Sequence, residues 1–292
     1  MNAFKRLYKS LPLIREIDRA AGLVTSLTNE TRAELNALRK LRCAEITERL
    51  CTEKATREGP LCLHAFERQV CSQHGEDGVT AEILRRIGTG RRVFAEIGIG
   101  DGVENNTAFF HSLGWTGFWL DSEPPRVGLS ETESRTLRFQ RSFVTRETIA
   151  AQFTELGVPA DLDLLSIDID QNTLYLWEAL RAWRARVVIV EYNAVIPPSV
   201  NWRVAYRAER IWDGTANFGA SLKAFEQLGR ELGYALVHCE IVGSNAFFVR
   251  TDLLADRFLG PFDAETNFEP FRLELTYRNG HSASRLDRQP PA

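Results

Sequence analysis

The chain has 292 residues, 44% hydrophobic and 26% charged, with a formal net charge of −3. This is the composition of an ordinary soluble globular protein, long enough for one large α/β domain plus an appendage. There is no basic surplus to favour a nucleic-acid partner, no apolar run near the ~20 residues that cross a bilayer and no signal-peptide core, so a cytoplasmic location is expected.

Residues 1 to about 60 lack any strand-like run and are interrupted only by Pro12 and Gly22. Leu27, Leu35, Leu38, Ile46 and Leu50 recur near multiples of a helical turn. Thr28 or Asn29 ahead of Glu30 adds a capping signal. A helical arm or helical hairpin is expected, either packed on the main domain or forming a coiled-coil oligomerisation element. Both readings stay open, because the heptad is imperfect. A homo-oligomer is the expected assembly. The first twenty residues are basic and amphipathic; they suit a peripheral membrane contact, with a solvated helix face the preferred reading.

From about residue 61 to 258 strands and helices alternate, and a tail, 259–292, follows. GEDGVTAEILRRIG reads as a helix ending at Gly88, RRVFAEIG as a strand, and VENNTAFFHSLGW as a helix opening after the glycines. TGFWLDSEP and LRFQRSFVT read as strands, ETIAAQFTELG as a helix, LDLLSIDID as a strand and TLYLWEALRAW as a helix. RVVIVEYNAVIPP is an apolar strand broken at Pro197-Pro198, followed by an irregular stretch to about Phe218. GASLKAFEQLGRELG, YALVHCEIV and NAFFVRTDL complete the series as a helix and two strands. Such alternation predicts a doubly wound, mostly parallel sheet with a Rossmann-like outline. The last two strands, separated by only Gly243 and Ser244, must form an antiparallel hairpin.

Ligands of such sheets lie beyond the carboxyl ends of the strands, and acids stand there: Glu96, then Asp121 and Glu123, then Asp168 and Asp170, then Glu191 with Asn193. Three glycines follow the first strand at alternate positions, Gly98, Gly100 and Gly102. A dinucleotide fingerprint wants a third glycine where Val103 stands. The loop also carries Glu96, Asp101 and Glu104, which repel a pyrophosphate and suit a cationic, phosphate-free cofactor such as S-adenosylmethionine (SAM). Asp121, about twenty residues on, is placed to accept both ribose hydroxyls.

The motif E-x-G-x-G-x-G, the acid after the second strand and the terminal hairpin together resemble class I SAM-dependent methyltransferases. SQHGEDG, AEIGIGDGVENNT, LLSIDIDQN and VVIVEYNA, over residues 70–250, resemble the FkbM-type family in particular. That resemblance implies O-methylation of a sugar, glycan or glycolipid hydroxyl. It also implies that Glu96, Gly98 and Gly100 meet the methionine part of SAM, that Asp121 holds the ribose, and that Gln73 and Asp77 approach from the other side. Asn105 and Asn106 are cap residues or ligand contacts. Asp168 sits beside the methyl group or the acceptor.

Methyl transfer to a neutral hydroxyl needs alignment and removal of a proton. Asp168 or Asp170 serves as general base, or else Asp168, Glu191 and Asn193 hold magnesium through hard oxygen donors. Unlike metal-dependent relatives, whose fifth-strand pair is adjacent, this chain has Tyr192 between Glu191 and Asn193. Without a metal, Glu191 and Asn193 bind the acceptor. The segment Val195–Gly219 brings Trp202, Tyr206 and Trp212, either stacking on a sugar ring or forming a satellite core. An NAD-linked oxidoreductase and a degenerate oligomeric scaffold are the competing readings. Five scattered cysteines without zinc-ligand spacing are expected to be reduced structural thiols, and His238 a core histidine.

Overall fold

A computed structural model describes residues 12–272 and 275, apart from 127, 130 and 132. The start of the basic stretch (1–11) and the tail beyond 272, bar 275, lie outside the described residues. The elements are α1 (Pro12–Glu58), α2 (Glu76–Ile87), β1 (Val93–Ile97), α3 (Ala108–Ser112), β2 (Thr116–Asp121), β3 (Leu137–Arg141) and α4 (Ile149–Leu156). They continue with β4 (Leu164–Ile167), α5 (Thr173–Ala179), β5 (Val187–Glu191), α6 (Leu222–Glu231), β6 (Tyr234–Cys239), β7 (Asn245–Arg250) and α7 (Ala264–Asn267).

The strands form one seven-stranded sheet in the order β3-β2-β1-β4-β5-β7-β6. β1 to β5 pair in parallel, while β7 runs antiparallel to both β5 and β6. This is the doubly wound, mostly parallel Rossmann-like sheet with a terminal antiparallel hairpin expected from the sequence. The hairpin enters the sheet in reverse: β7, the later strand, is the one that pairs with β5. Its link is also longer than read, running from Glu240 to Ser244. The Glu240 carboxylate closes it by accepting from the Ser244 and Asn245 amides at 2.9 and 3.3 Å.

Strand alternation sorts side chains between two cores. Val187 and Ile189 of β5 face the layer containing Val79, Ile83, Leu84 and Ile87 of α2. Val188 and Val190 face the other layer, with Trp177 of α5 and Phe225 and Leu228 of α6. Buried on both faces, these strands read as continuous apolar runs, as parallel strands do.

Among the described residues the arm is one helix of 47 residues, Pro12–Glu58. Gly22 does not break it. Its C-terminal part is fastened to the body: Cys43, Ile46, Leu50 and Cys51 pack with Ile241, Val242 and Leu275. Below it lies a buried polar knot. The Glu67 carboxylate pairs with His64 Nδ1 at 2.6 Å and His238 Nε2 at 3.1 Å and accepts the Ile241 amide, while Lys54 pairs with Glu269. Burial opposes the charge on Glu67, but the two histidines hold its carboxyl down at about 2. His238 is 4% exposed, as a core histidine should be, and all five cysteines are free. Part of the sequence-defined tail belongs to this body, since Ala264 and Glu269 are 0% and 1% exposed.

The helix expected from Val103 starts only at Ala108 and is five residues long. Side chains have claimed the preceding amides: Asp101 Oδ1 accepts from Val103 and Glu104, and Glu96 Oε1 from Asn106. Among the described residues, no helix is long and apolar enough to cross a membrane.

Candidate functional site

A cavity of about 440 Å³ opens at the carboxyl ends of the parallel strands, within the size range of cofactor sites. β1 delivers its floor. Glu96 is 1% exposed and accepts from the Asn106 amide at 2.9 Å and from Thr107 Oγ1 at 2.5 Å. Trp119 Nε1 in turn donates to Thr107 Oγ1 at 2.8 Å, and Asn106 Nδ2 to Ser166 Oγ at 3.1 Å. Burial pushes the Glu96 carboxyl up to about 7 against the bonds from Thr107 and Asn106, and the charge of Asp168 adds to the rise.

Gly98 follows with φ +82°, and a Cβ there would lie 1.7 Å from the Asp168 carbonyl oxygen. Glycine is required both by the left-handed conformation and by the approach of the β4 end. Gly100 has φ +57° and open space where a side chain would stand; its amide donates to Asp121 Oδ2 at 3.0 Å. Asp121, at the end of β2, also accepts the Glu123 amide at 3.0 Å. The acid and the glycine loop are therefore one hydrogen-bonded unit.

The β4 and β5 ends bring three acids together. Carboxylate oxygens of Asp168, Asp170 and Glu191 lie within 4.8 Å of one another. Asp170 takes φ 58°, a left-handed conformation uncommon outside glycine. Burial, then the charges of Asp168 and Asp170, raise the Glu191 carboxyl well above its ordinary range, and burial raises Asp170. Glu191 Oε2 is buried without a hydrogen-bond partner among the described residues. A proton on Glu191 relieves the repulsion; a cation would do the same. The donor set, three hard carboxylates, fits magnesium.

Of the residues singled out from sequence, Gln73, Glu96, Gly98, Gly100, Asn105 and Asp121 line the cavity. So do Asp168, Asp170, Glu191 and Trp212. Asn105 is both cap and lining: Oδ1 accepts from Ala108 at 2.8 Å, while its buried Nδ2 has no partner among the described residues.

Four are placed elsewhere. Asp77 is buried, its Oδ2 gathering the amides of Val70, Cys71 and Ser72 at 2.7–2.8 Å, so it shapes the turn that presents Gln73. Asn193 is 0% exposed and donates from Nδ2 to the Ala216 and Phe218 carbonyls at 2.9 Å. The strand ends at Glu191, so the alternation that would have aligned Asn193 with it does not continue; Asp170 takes its place in the carboxylate set. Trp202 packs with Ile196 and Val204 in a satellite core. Tyr206 bonds Glu147 and stacks under Arg146, 4.5 Å from the ring centroid.

The sequence reading missed Ser142, Phe143 and Val144 after β3, although the strand-end rule applied to that strand would have found them. It also missed Asn245. Because β7 is antiparallel, its first residue stands at the same sheet edge as the last residues of the parallel strands. Arg210 and Ile211 of the long loop complete the mouth. Among the described lining residues the acids are Glu96, Glu104, Asp121, Asp168, Asp170 and Glu191, against one cation, Arg210. Such a wall disfavours a pyrophosphate and favours a ligand with positive charge. A second close set, Cys51, His64 and Glu67, lies under α1 with its atoms engaged in the polar knot there.

No family model matches the chain, and no curated protein matches it. Solved structures resemble it at low identity and low TM-score. A magnesium protoporphyrin IX methyltransferase from Synechocystis PCC 6803 with bound SAM is 11% identical over 60% of this chain and 77% of its own, with a TM-score of 0.37. An O-methyltransferase family protein from Burkholderia thailandensis is 8% identical over 73% of this chain and 71% of its own, at 0.33. A 16S rRNA (adenine(1408)-N(1))-methyltransferase from Catenulisporales acidiphilia is 15% identical over 59% and 90%, at 0.31. These likenesses are too faint to assign residue roles, which rest on the geometry of the site.

Proposed function

We propose that the chain is a SAM-dependent O-methyltransferase of FkbM type acting on a hydroxyl of a sugar, glycan or glycolipid precursor. The observation that carries this reading is the acid-walled cavity joining the glycine loop and Asp121 to the three carboxylates at the β4 and β5 ends. Asp121 receives the ribose hydroxyls, and the loop from Gly98 to Gly100 leaves room for the amino-acid part. Bound SAM supplies the methyl group as a sulfonium and leaves as the thioether.

Asp168 takes the proton of the acceptor hydroxyl as the new O–CH₃ bond forms and the S–CH₃ bond breaks. Glu191, carrying a proton, donates to Asp168 and fixes its orientation. Trp212, 37% exposed, and Phe143, 45% exposed, flank the mouth and offer apolar faces to a sugar ring. A second reading rests on the carboxylate set: Asp168, Asp170 and Glu191 would hold magnesium, which would acidify the acceptor hydroxyl.

Calorimetry with SAM and with NAD tests the class; NAD binding without SAM binding would sink it. A screen of sugar acceptors for a mass gain of one methyl group tests the substrate. Loss of that gain after exhaustive chelation, restored by magnesium, would select the metal reading.

A further inference from the structure

The first half of α1 stands clear of the body. Every residue whose side chain is described from Glu16 to Arg42 is exposed, and burial begins at Cys43. At 1.5 Å per residue this is about 40 Å of free helix. Its large apolar side chains are exposed with it: Ile17, Val24, Leu27, Leu38 and Leu41 by 56–63%, with Leu23 and Leu35 beside them at 60% and 48%.

Their spacing is that of a seam. Ile17, Val24, Thr31 and Leu38 recur every seven residues, and so do Ala20, Leu27, Glu34 and Leu41, three residues later. The next two seam positions are Glu45 and Glu48, so the stripe ends where the body begins. Of the side chains that fasten α1 to the body, Cys43, Ile46 and Leu50 lie on the opposite side of the helix, and Cys51 lies on its flank beyond the end of the stripe. A partner can therefore reach the seam without meeting the body.

We infer that the seam is covered by a second copy of this chain in an antiparallel two-stranded coiled coil over Ile17–Leu41. In a parallel pair Glu34 would face Glu34, Thr31 would face Thr31 and Ala20 would face Ala20, giving one like-charge layer, one polar layer and one void. Antiparallel pairing sets Ile17 against Leu41, Ala20 against Leu38, Val24 against Glu34, and Leu27 against Thr31. Each layer then holds a large apolar side chain, and no two acids meet. Eight seam positions and the flanking Leu23 and Leu35, at about 60 Å² each, remove roughly 1,200 Å² from two helices, the lower end of stable interfaces. A bilayer surface fits less well, because Glu34 stands in the middle of the stripe.

Light scattering of the full chain at micromolar concentration is expected to give the mass of two chains, and Leu27→Glu with Leu38→Glu that of one. Both residues are exposed, so the urea midpoint of the body should not move; a fall in that midpoint would show that the seam packs on its own body and would overturn the inference. Orientation is read by oxidative cross-linking. A mixture of Ala20→Cys and Leu38→Cys chains should cross-link, while neither variant alone exceeds the unsubstituted chain. Cross-linking within each single variant means parallel pairing and overturns the inference. A monomer, a larger oligomer, or a monomer that instead sediments with anionic vesicles overturns it too.

Discussion

Replacing Glu96 by Gln should flatten the pH dependence of stability near neutrality. In the folded chain the Glu96 carboxyl lies at about 7, against an ordinary 4.5. A raised acid contributes its full stability below the unfolded value and loses it as pH rises through the folded one. Integrating that linkage from pH 5 to pH 8 gives a loss of roughly 2.5 kcal/mol. The substituted amide cannot ionise, so the variant escapes this loss. It gives up the bond from Thr107 Oγ1 and must rearrange the Trp119 contact, costing about 1 kcal/mol. The variant should therefore be the less stable protein at pH 5 and the more stable at pH 8. Urea unfolding of the ligand-free chain at several pH values measures both curves. Glu191 also sits above its ordinary range and slopes the same way, so the difference between variant and parent is the quantity to compare. Parallel curves would refute the account of Glu96 as a buried carboxyl held near neutrality.

Asp121→Ala removes the proposed ribose acceptor and the partner of the Gly100 amide; SAM affinity by calorimetry should fall about tenfold to a hundredfold. Gly98→Ala places a methyl against the Asp168 carbonyl in a left-handed conformation and should cost about 3 kcal/mol or more in urea unfolding. Asp168→Asn should lower kcat by about a hundredfold or more. Glu191→Gln, which mimics a protonated carboxyl, should keep kcat within about tenfold of the parent; a loss as large as that of Asp168→Asn would favour the magnesium reading.

The apolar runs of β1, β4 and β5 made the sheet legible, because strands buried on both faces need no alternation to be recognised. The glycine loop and Asp121 were legible because backbone chemistry fixes them: Gly98 has no alternative beside the Asp168 carbonyl. Asn193 and Asp77 misled for a common reason. Each is a polar residue beside an element that lines the cavity, but each spends its hydrogen bonds on backbone, Asn193 on the loop carbonyls and Asp77 on the amides before Gln73. Sequence shows which polar groups are near a strand end, not which way the chain turns after it. Asn245 was invisible for a topological reason, since its place depends on β7 entering the sheet between β5 and β6.

The carboxylates themselves limit what the cavity can hold. Two unit charges 4.8 Å apart, the outer limit of these oxygen separations, repel by roughly 3.5 kcal/mol at an effective dielectric constant of 20. Three such pairs, fully ionised, would cost about 10 kcal/mol, comparable with the whole stability of a domain. The set is therefore tolerable only with a proton or a cation among its members, and burial with the charges of Asp168 and Asp170 raises Glu191 in the direction that favours a proton there. A sulfonium and an ammonium brought into this cavity supply positive charge and make the proton less necessary. SAM binding near neutral pH should consequently release a fraction of a proton. Calorimetry in buffers of different ionisation enthalpy would detect it as a buffer-dependent binding enthalpy, and Glu191→Gln and Glu96→Gln would assign the source. A binding enthalpy independent of buffer would refute the electrostatic argument while leaving the fold and the glycine loop untouched.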